Sequence, residues 1–168
     1  RLSIINHKRN TMSEFPLPNV STDLNGQVAF VTGTTSGLGK RFAKVLAACG
    51  AKVVATGRRV DRLEALAEEI RADGGNCEPI AIDMTSRDSI RAALAEAEAR
   101  LGTVQILINN AGIPDAERAI KMSDELTDAV FDTTLVGPWV LSCEVARRLI
   151  EQKMSGRIVN IASVAAFN

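Results

Sequence analysis

The sequence predicts an α/β fold built on a doubly wound parallel sheet, and three observations carry that prediction. Short apolar runs of strand length alternate with segments whose apolar residues recur at helical spacing. The strand runs are apolar throughout, as strands buried on both faces are. The first run passes directly into a glycine-rich turn and then a helix. Alternating strands and helices build βαβ units with right-handed crossovers. In such a fold the ligand contacts gather at the C-terminal ends of the strands, near the switch point.

Val28–Thr32 is the first strand. Leu38, Phe42, Val45, Leu46 and Cys49 then recur at helical spacing, with Gly50 as the stop. Lys52–Thr56 is the second strand; Leu63, Leu66, Ala67 and Ile70 mark the second helix, ended by Gly74-Gly75. Glu78–Ile82 is the third strand. Ile90, Ala93, Leu94, Ala97 and Leu101 mark the third helix, with Thr85 or Ser86 as its N-cap and Gly102 as its end. Val104–Ile108 is the fourth strand. A long helical region is predicted over residues 123–153, kinked at Gly137-Pro138. Arg157–Ile161 is the fifth strand. Residues 26–168 contain no repeat, low-complexity tract or linker.

Residues 1–23 read differently. RLSIINHKRNT precedes Met12, which is the expected native start, so that the first residues form a leader. The leader lacks an apolar stretch followed by a small-residue cleavage site, so it is not read as a secretory signal. Pro16 and Pro18 keep the next stretch extended.

Composition removes several function classes. The 20 basic and 20 acidic residues cancel, which argues against nucleic acid or an anionic membrane as the main partner. No apolar run approaches the ~18 residues of a membrane span. The single His7 lies in the leader, so residues 24–168 have no Ser-His or Cys-His catalysis, His-ligated zinc or His acid/base. Cys49, Cys77 and Cys143 form no CxxC and read as buried thiols in a reducing cytoplasm. Trp139 is expected in the core or an interface, with Met122 and Met154 filling gaps. Arg147-Arg148 and Glu64, Glu68 and Glu69 read as solvated helix faces. There is no Tyr.

The first strand opens into Thr32-Gly33-Thr34-Thr35-Ser36-Gly37-Leu38-Gly39. Its glycines allow a tight turn and a close phosphate, and the helix starting near Gly37 offers free N–H groups to an anion. It is not a Walker P-loop, because Arg41 follows Lys40 and Thr34 stands where the first Gly would be. The spacing is GxxxGxG. At the end of the second strand, Gly57-Arg58-Arg59 offers two guanidinium groups and no acid. A dinucleotide site for NAD usually places an acid there for the ribose 2′-OH, whereas Arg suits a 2′-phosphate. NADP(H) is therefore favoured, with NAD(H) as the alternative.

TGTTSGLG, Asn109-Asn110-Ala111-Gly112 after the fourth strand, and the GRIVNIAS segment ending at Ser163 stand in order, each after its own strand. Together they resemble the motifs of the short-chain dehydrogenases/reductases, over residues 24–168. The resemblance implies a Rossmann-like sheet of order 3-2-1-4-5 in this part of the domain. It implies hydride transfer between a nicotinamide and a small carbonyl or alcohol substrate. It places Gly33, Thr35, Ser36, Gly37, Leu38, Gly39 and Arg58 on the cofactor, together with Asp83-Met84, whose carboxylate takes the adenine amino group. Asn110, Ala111 and Gly112 would approach the ribose side, and Ser163 would hydrogen-bond the substrate oxygen.

Thr134 stands where the family usually has a catalytic Asn. It is shorter and lacks an amide, so it cannot make the same pair of contacts, although its hydroxyl can support the kink. The family's proton-transferring Tyr-x-x-x-Lys pair falls beyond Asn168. Residues 24–168 are accordingly expected to be an incomplete domain without turnover, with an exposed apolar edge that favours aggregation. The family resemblance also implies homo-oligomers through the long helices around 123–153. A regulatory protein that binds NADP(H) without chemistry, or an interaction module without cofactor, would be the alternatives.

Overall fold

Every residue of β1 (Val28–Thr32) is buried, because helices cover both faces of the sheet at its centre. The structure is a computed structural model that describes residues 21–113 and 119–163. The leader, Met12, the extended Pro16–Pro18 stretch and the segment after Ser163 lie outside the described residues. After β1 come α1 (Gly37–Ala48), β2 (Lys52–Gly57), α2 (Val60–Ala72), β3 (Asn76–Ala81), α3 (Arg87–Leu101) and β4 (Val104–Asn109). A short 3₁₀ turn (Ala119–Lys121) precedes α4 (Asp124–Phe131), a π-helical turn (Asp132–Val136), α5 (Gly137–Glu151) and β5 (Arg157–Asn160). The sheet is five-stranded and parallel in the order β3-β2-β1-β4-β5.

Alternation along β1 splits the core into two layers. Val28 and Phe30 face a layer with Ile90, Leu94, Leu141 and Val145 of α3 and α5. Ala29 and Val31 face the other, with Ala43, Leu63, Leu66 and Ile70 of α1 and α2. The helix after β1 thus lies on one side of the sheet and the helices after β4 on the other. The chain diverges between the ends of β1 and β4, and this leaves a crevice there.

Several elements differ from the sequence expectation for identifiable reasons. β3 begins earlier, at Asn76, because Lys52 pairs with Asn76 and Val53 with Cys77. Helix α1 buries Gly39, Ala43 and Ala47, while Leu38 and Val45 are exposed. Small residues let this helix sit close to the sheet, and Phe42 and Leu46 pack beside them against the same layer. The long helical region is divided by the π turn, which ends at the Gly137-Pro138 pair. A Cβ on Gly137 would lie 2.4 Å from the Met84 carbonyl oxygen, so only glycine lets the start of α5 approach the end of β3 this closely.

The surface also holds corrections. Of the two places expected for Trp139, core or interface, its 70% exposure removes the core. Met154 is exposed, and of the cysteines only Cys77 is buried, its thiol pushed up to about 11 by burial. Glu69 is no idle surface acid, since Lys40 and Lys44 of α1 pair with it at 2.9 and 2.7 Å. These bonds hold its carboxyl down at about 2. Arg148 is half-buried, bonding Glu98 of α3 at 2.8 Å and Glu144 of its own helix at 2.9 Å.

Glu144 is itself buried and also receives Arg91 of α3 at 3.1 Å and Arg147 at 3.0 Å. Hydrogen bonds from Arg148, then Arg91, hold its carboxyl below the usual range. A group whose native pKa is lowered adds stability at pH above its ordinary value and loses it as pH falls. The Glu144 contribution is therefore complete above the ordinary value of 4.5 and fades below it. Glu144→Gln should cost about 1–3 kcal/mol at neutral pH and flatten the acid limb of a Tm-against-pH series. A wild-type-like acid limb would contradict this.

Candidate functional site

Buried apolar strands end in hydroxyl residues at the crevice, and these hydroxyls organise it. Thr32 and Thr56, the residues at which β1 and β2 pair beside the crevice, are fully buried. Thr56 Oγ1 donates to the Val31 carbonyl at 2.9 Å, and Thr34 donates its N–H and hydroxyl to the Thr56 carbonyl at 3.0 and 3.2 Å. Thr32 Oγ1 accepts the backbone N–H groups of Asn110 and Ala111 at 2.9 and 3.0 Å. Asn110 Nδ2 reaches back to the Thr32 and Gly33 carbonyls at 3.0 and 3.3 Å. The turn after β1 and the turn after β4 are thus bound to each other.

Glycine is required at two points of this contact. Gly33 has φ +71°, and a Cβ there would lie 2.8 Å from Ala111 Cα. A Cβ on Gly39 would lie 2.2 Å from the Gly33 carbonyl oxygen and 2.5 Å from Asn110 Nδ2. The Ser36 side chain does not cap α1, and the first turn of that helix carries no acid. Its leading N–H groups and positive dipole end therefore remain available to an anion.

These turns wall a cleft of about 600 Å³. Gly33, Thr35, Ser36, Arg58, Asp83, Met84, Asn110, Ala111 and Gly112 line it. Gly37, Leu38 and Gly39 lie in the first turn of α1 outside that lining, with Leu38 exposed and Gly39 packed behind the turn. The cleft adds Gly57, Arg59, Ile82, Ile113 and Thr133. Arg59 donates through Nη2 to Thr35 Oγ1, tying the start of α2 to the glycine-rich turn. Ile82 and Ile113 supply an apolar wall suited to a flat ring. Asp83 Oδ1 accepts the Thr85 N–H at 3.0 Å and the Thr85 hydroxyl at 2.8 Å. These bonds, more than nearby Arg58, keep its carboxyl below the usual range and so ionised. Ser86 caps α3 by accepting the Ser89 N–H, while Ser89 Oγ accepts the Asp83 N–H at 2.9 Å.

A second groove of about 650 Å³ shares Asn110, Ala111 and Gly112 with the first. Its other walls include Thr134, Leu135, Trp139, Ser142, Asn160, Ile161 and Ser163. The π turn separates the two spaces, with Thr133 in one and Thr134 in the other. Thr134 Oγ1 donates to the Val130 carbonyl at 2.6 Å, so its hydroxyl is spent within its own helix and supports the break. Among the described residues no group of His, Cys, Asp and Glu could hold a metal ion. Nor is any described helix long and apolar enough to cross a membrane.

Comparison with known proteins agrees with this geometry. A family model described as short chain dehydrogenase matches residues 27–168. A short chain dehydrogenase of Pseudocercospora fijiensis is 37% identical over 148 residues, covering 85% of this chain and 47% of that protein. A 2-dehydro-3-deoxy-D-gluconate 5-dehydrogenase of Formosa agariphila is 34% identical over 143 residues, covering 84% of this chain and 54% of its own length. The chain thus spans about half the length of the curated relatives it matches. A metagenomic short-chain oxidoreductase solved in complex with NADP superposes with a TM-score of 0.81 at 37% identity, over 88% of this chain and 66% of that one.

Thr32→Val keeps the shape but leaves the N–H groups of Asn110 and Ala111 without their acceptor. It should lower stability by about 1–3 kcal/mol for each N–H left unpaired, whereas Thr32→Ser should remain near wild type. Thermal denaturation of the two variants compares them directly. Equal melting temperatures would remove the hydroxyl from the account.

Proposed function

Since this chain belongs to the short chain dehydrogenases, we propose that its first cleft holds NADP(H) and its second groove holds a small carbonyl or alcohol substrate. One observation carries the reading. The two spaces meet along Asn110-Ala111-Gly112, so a nucleotide in one lies against a small molecule in the other. When bound, the nicotinamide supplies hydride exchange with the substrate carbon.

The residues present suit that cofactor. The Gly33 and Gly39 cradle has no room for a Cβ, and the open start of α1 suits a pyrophosphate. Arg58 stands exposed at the rim, where its fork can hold a 2′-phosphate, and Arg59 backs the same rim through Thr35. The ionised Asp83 accepts a hydrogen bond from the adenine amino group, beside buried Met84. In the groove, Ser163 donates to the substrate oxygen and steadies the charge that develops there. Thr134 acts by shaping the π turn, with its hydroxyl committed to Val130.

With no Tyr among the 168 residues, the proton-transferring residue of this reading lies outside them. These residues alone should bind nucleotide without turnover. The exposed side chains of Phe131, Leu135, Trp139 and Ile150 along α4, the π turn and α5 offer the surface for a homo-oligomer. The free thiols suit a reducing cytoplasm.

Arg58→Ala should weaken NADP(H) binding by about 10- to 100-fold, as the loss of a charged hydrogen bond of ~1.5–3 kcal/mol requires, and leave NAD(H) binding nearly unchanged. Fluorescence titration with NADPH and NADH measures both. Equal loss for the two cofactors would overturn the 2′-phosphate assignment, and no binding at millimolar cofactor would overturn the nucleotide reading.

A further inference from the structure

The two spaces differ in charge. The first cleft is walled by Arg58, Arg59 and Asp83. Fourteen described residues line the second groove, and none of them is Asp, Glu, Lys, Arg or His. Several of its polar side chains are spent within the protein. Ser142 Oγ and Asn160 Oδ1 both accept from the Asn109 amide, at 3.0 and 2.8 Å. Asn110 Nδ2 donates to the Thr32 and Gly33 carbonyls, and the Thr134 hydroxyl to the Val130 carbonyl. Much of the remaining lining is apolar. Leu135 and Trp139 border the groove at 60% and 70% exposure and Ile161 at 38%, together with Pro138 and Ala162.

Such a wall selects by charge as well as by shape. An anionic group brought against it gives up water and meets no cation, a loss that a neutral group of the same size does not suffer. Exposed apolar side chains gain when a ligand's own apolar surface covers them, and an indole offers a flat face to a ring. A few polar groups then suffice to orient one carbonyl oxygen.

We propose that the second groove takes an uncharged, mainly apolar ketone or aldehyde of the aryl-alkyl kind, and rejects carbonyl compounds that carry a carboxylate or phosphate for want of a cation. This rests on the reading above, in which that groove holds the substrate. Ile161 is a position at which a cation would change the selection. It borders the groove two residues before Ser163. Its backbone N–H bonds the Asn109 carbonyl at 2.9 Å, a contact that a change of side chain leaves in place.

The test uses the full-length protein and two probes matched except in charge, methyl 4-acetylbenzoate and 4-acetylbenzoate. Trp139 is the single Trp of the 168 residues. Quenching of its emission, identified by its loss in Trp139→Phe, reports binding with NADP⁺ present and no turnover. Reduction with NADPH, which adds one hydride to the carbonyl carbon and one proton from water to its oxygen, gives kcat/KM for the same pair. The ester should bind and be reduced about 10- to 100-fold better than the carboxylate, the worth of one missing charged hydrogen bond. Ile161→Arg should improve the carboxylate by about 10-fold and leave NADPH affinity unchanged, whereas Ile161→Gln, which adds length without charge, should not improve it. The wild-type comparison of the two probes stands whether or not Ile161→Arg folds. A carboxylate that binds as well as the ester would overturn the proposal. So would a folded Ile161→Arg that gains no more on the carboxylate than Ile161→Gln, or a wild type that binds NADPH but neither probe. An ester that binds without being reduced would uphold the ligand class and overturn the oxidoreductase reading, and a protein that binds no NADPH would overturn the nucleotide reading.

Discussion

The contact between the turn after β1 and the turn after β4 is the constraint on which the rest of the molecule depends. One hydroxyl, that of Thr32, accepts two backbone N–H groups from the other turn, and the Asn110 amide returns the connection to Thr32 and Gly33. The crevice of a doubly wound sheet is by nature a gap, because the chain leaves its central strands in opposite directions. Without a lock the two turns would be independent loops. Hydrogen bonds centred on the fully buried Thr32 make them one floor, and glycines at 33 and 39 let that floor be thin.

A thin floor has an electrostatic consequence. The start of α1 comes close to the crevice with no acid in its first turn and no side-chain cap. Arg58 and Arg59 stand at the rim, and the single carboxylate in the wall, Asp83, is occupied in part by Thr85. The cleft is thus electropositive at the start of α1 and along the Arg58 and Arg59 rim, and offers a hydrogen-bond acceptor at Asp83. On the opposite layer, the Glu144 and Glu98 carboxylates bind the arginines of α3 and α5 into a fixed unit. That unit holds the helix from which Ser142 reaches Asn109.

How much of this could be read from the sequence depends on the range of the interaction. β1, α1 and the order of the strands follow from local apolar patterns and a turn whose glycines have one stereochemical purpose. The buried face of α1 followed only in part: Phe42 and Leu46 pack against the core as their spacing predicts, whereas Leu38 and Val45 are exposed and the close approach to the sheet buries Gly39, Ala43 and Ala47. Gly137-Pro138 marks where the long helix breaks, yet the close approach of Gly137 to Met84 at the end of the π turn is a contact across the fold. Arg148 looks like any surface arginine until Glu98 is brought beside it. The wall residues Gly57, Ile82, Ile113 and Thr133 went unread, and the organising hydroxyl of Thr32 left only a faint signal, as a lone polar residue closing an apolar strand.

The two outer strands of the described sheet differ in kind. In β3 the Ile82 N–H turns inward to Gly57, so by alternation the position of Pro79 turns outward, where proline offers no donor. Arg71 and Arg100 also lie across that margin on Glu78. β5 has no such guard, its exposed Ile158 and Val159 being ready formers of extended chain. The sheet therefore has a growth direction. New strand can join beside β5, on the flank that bears Ser163, while the β3 flank is sealed. Any element that extends this sheet is thereby delivered to the second groove rather than to the cleft walled by Arg58 and Asp83.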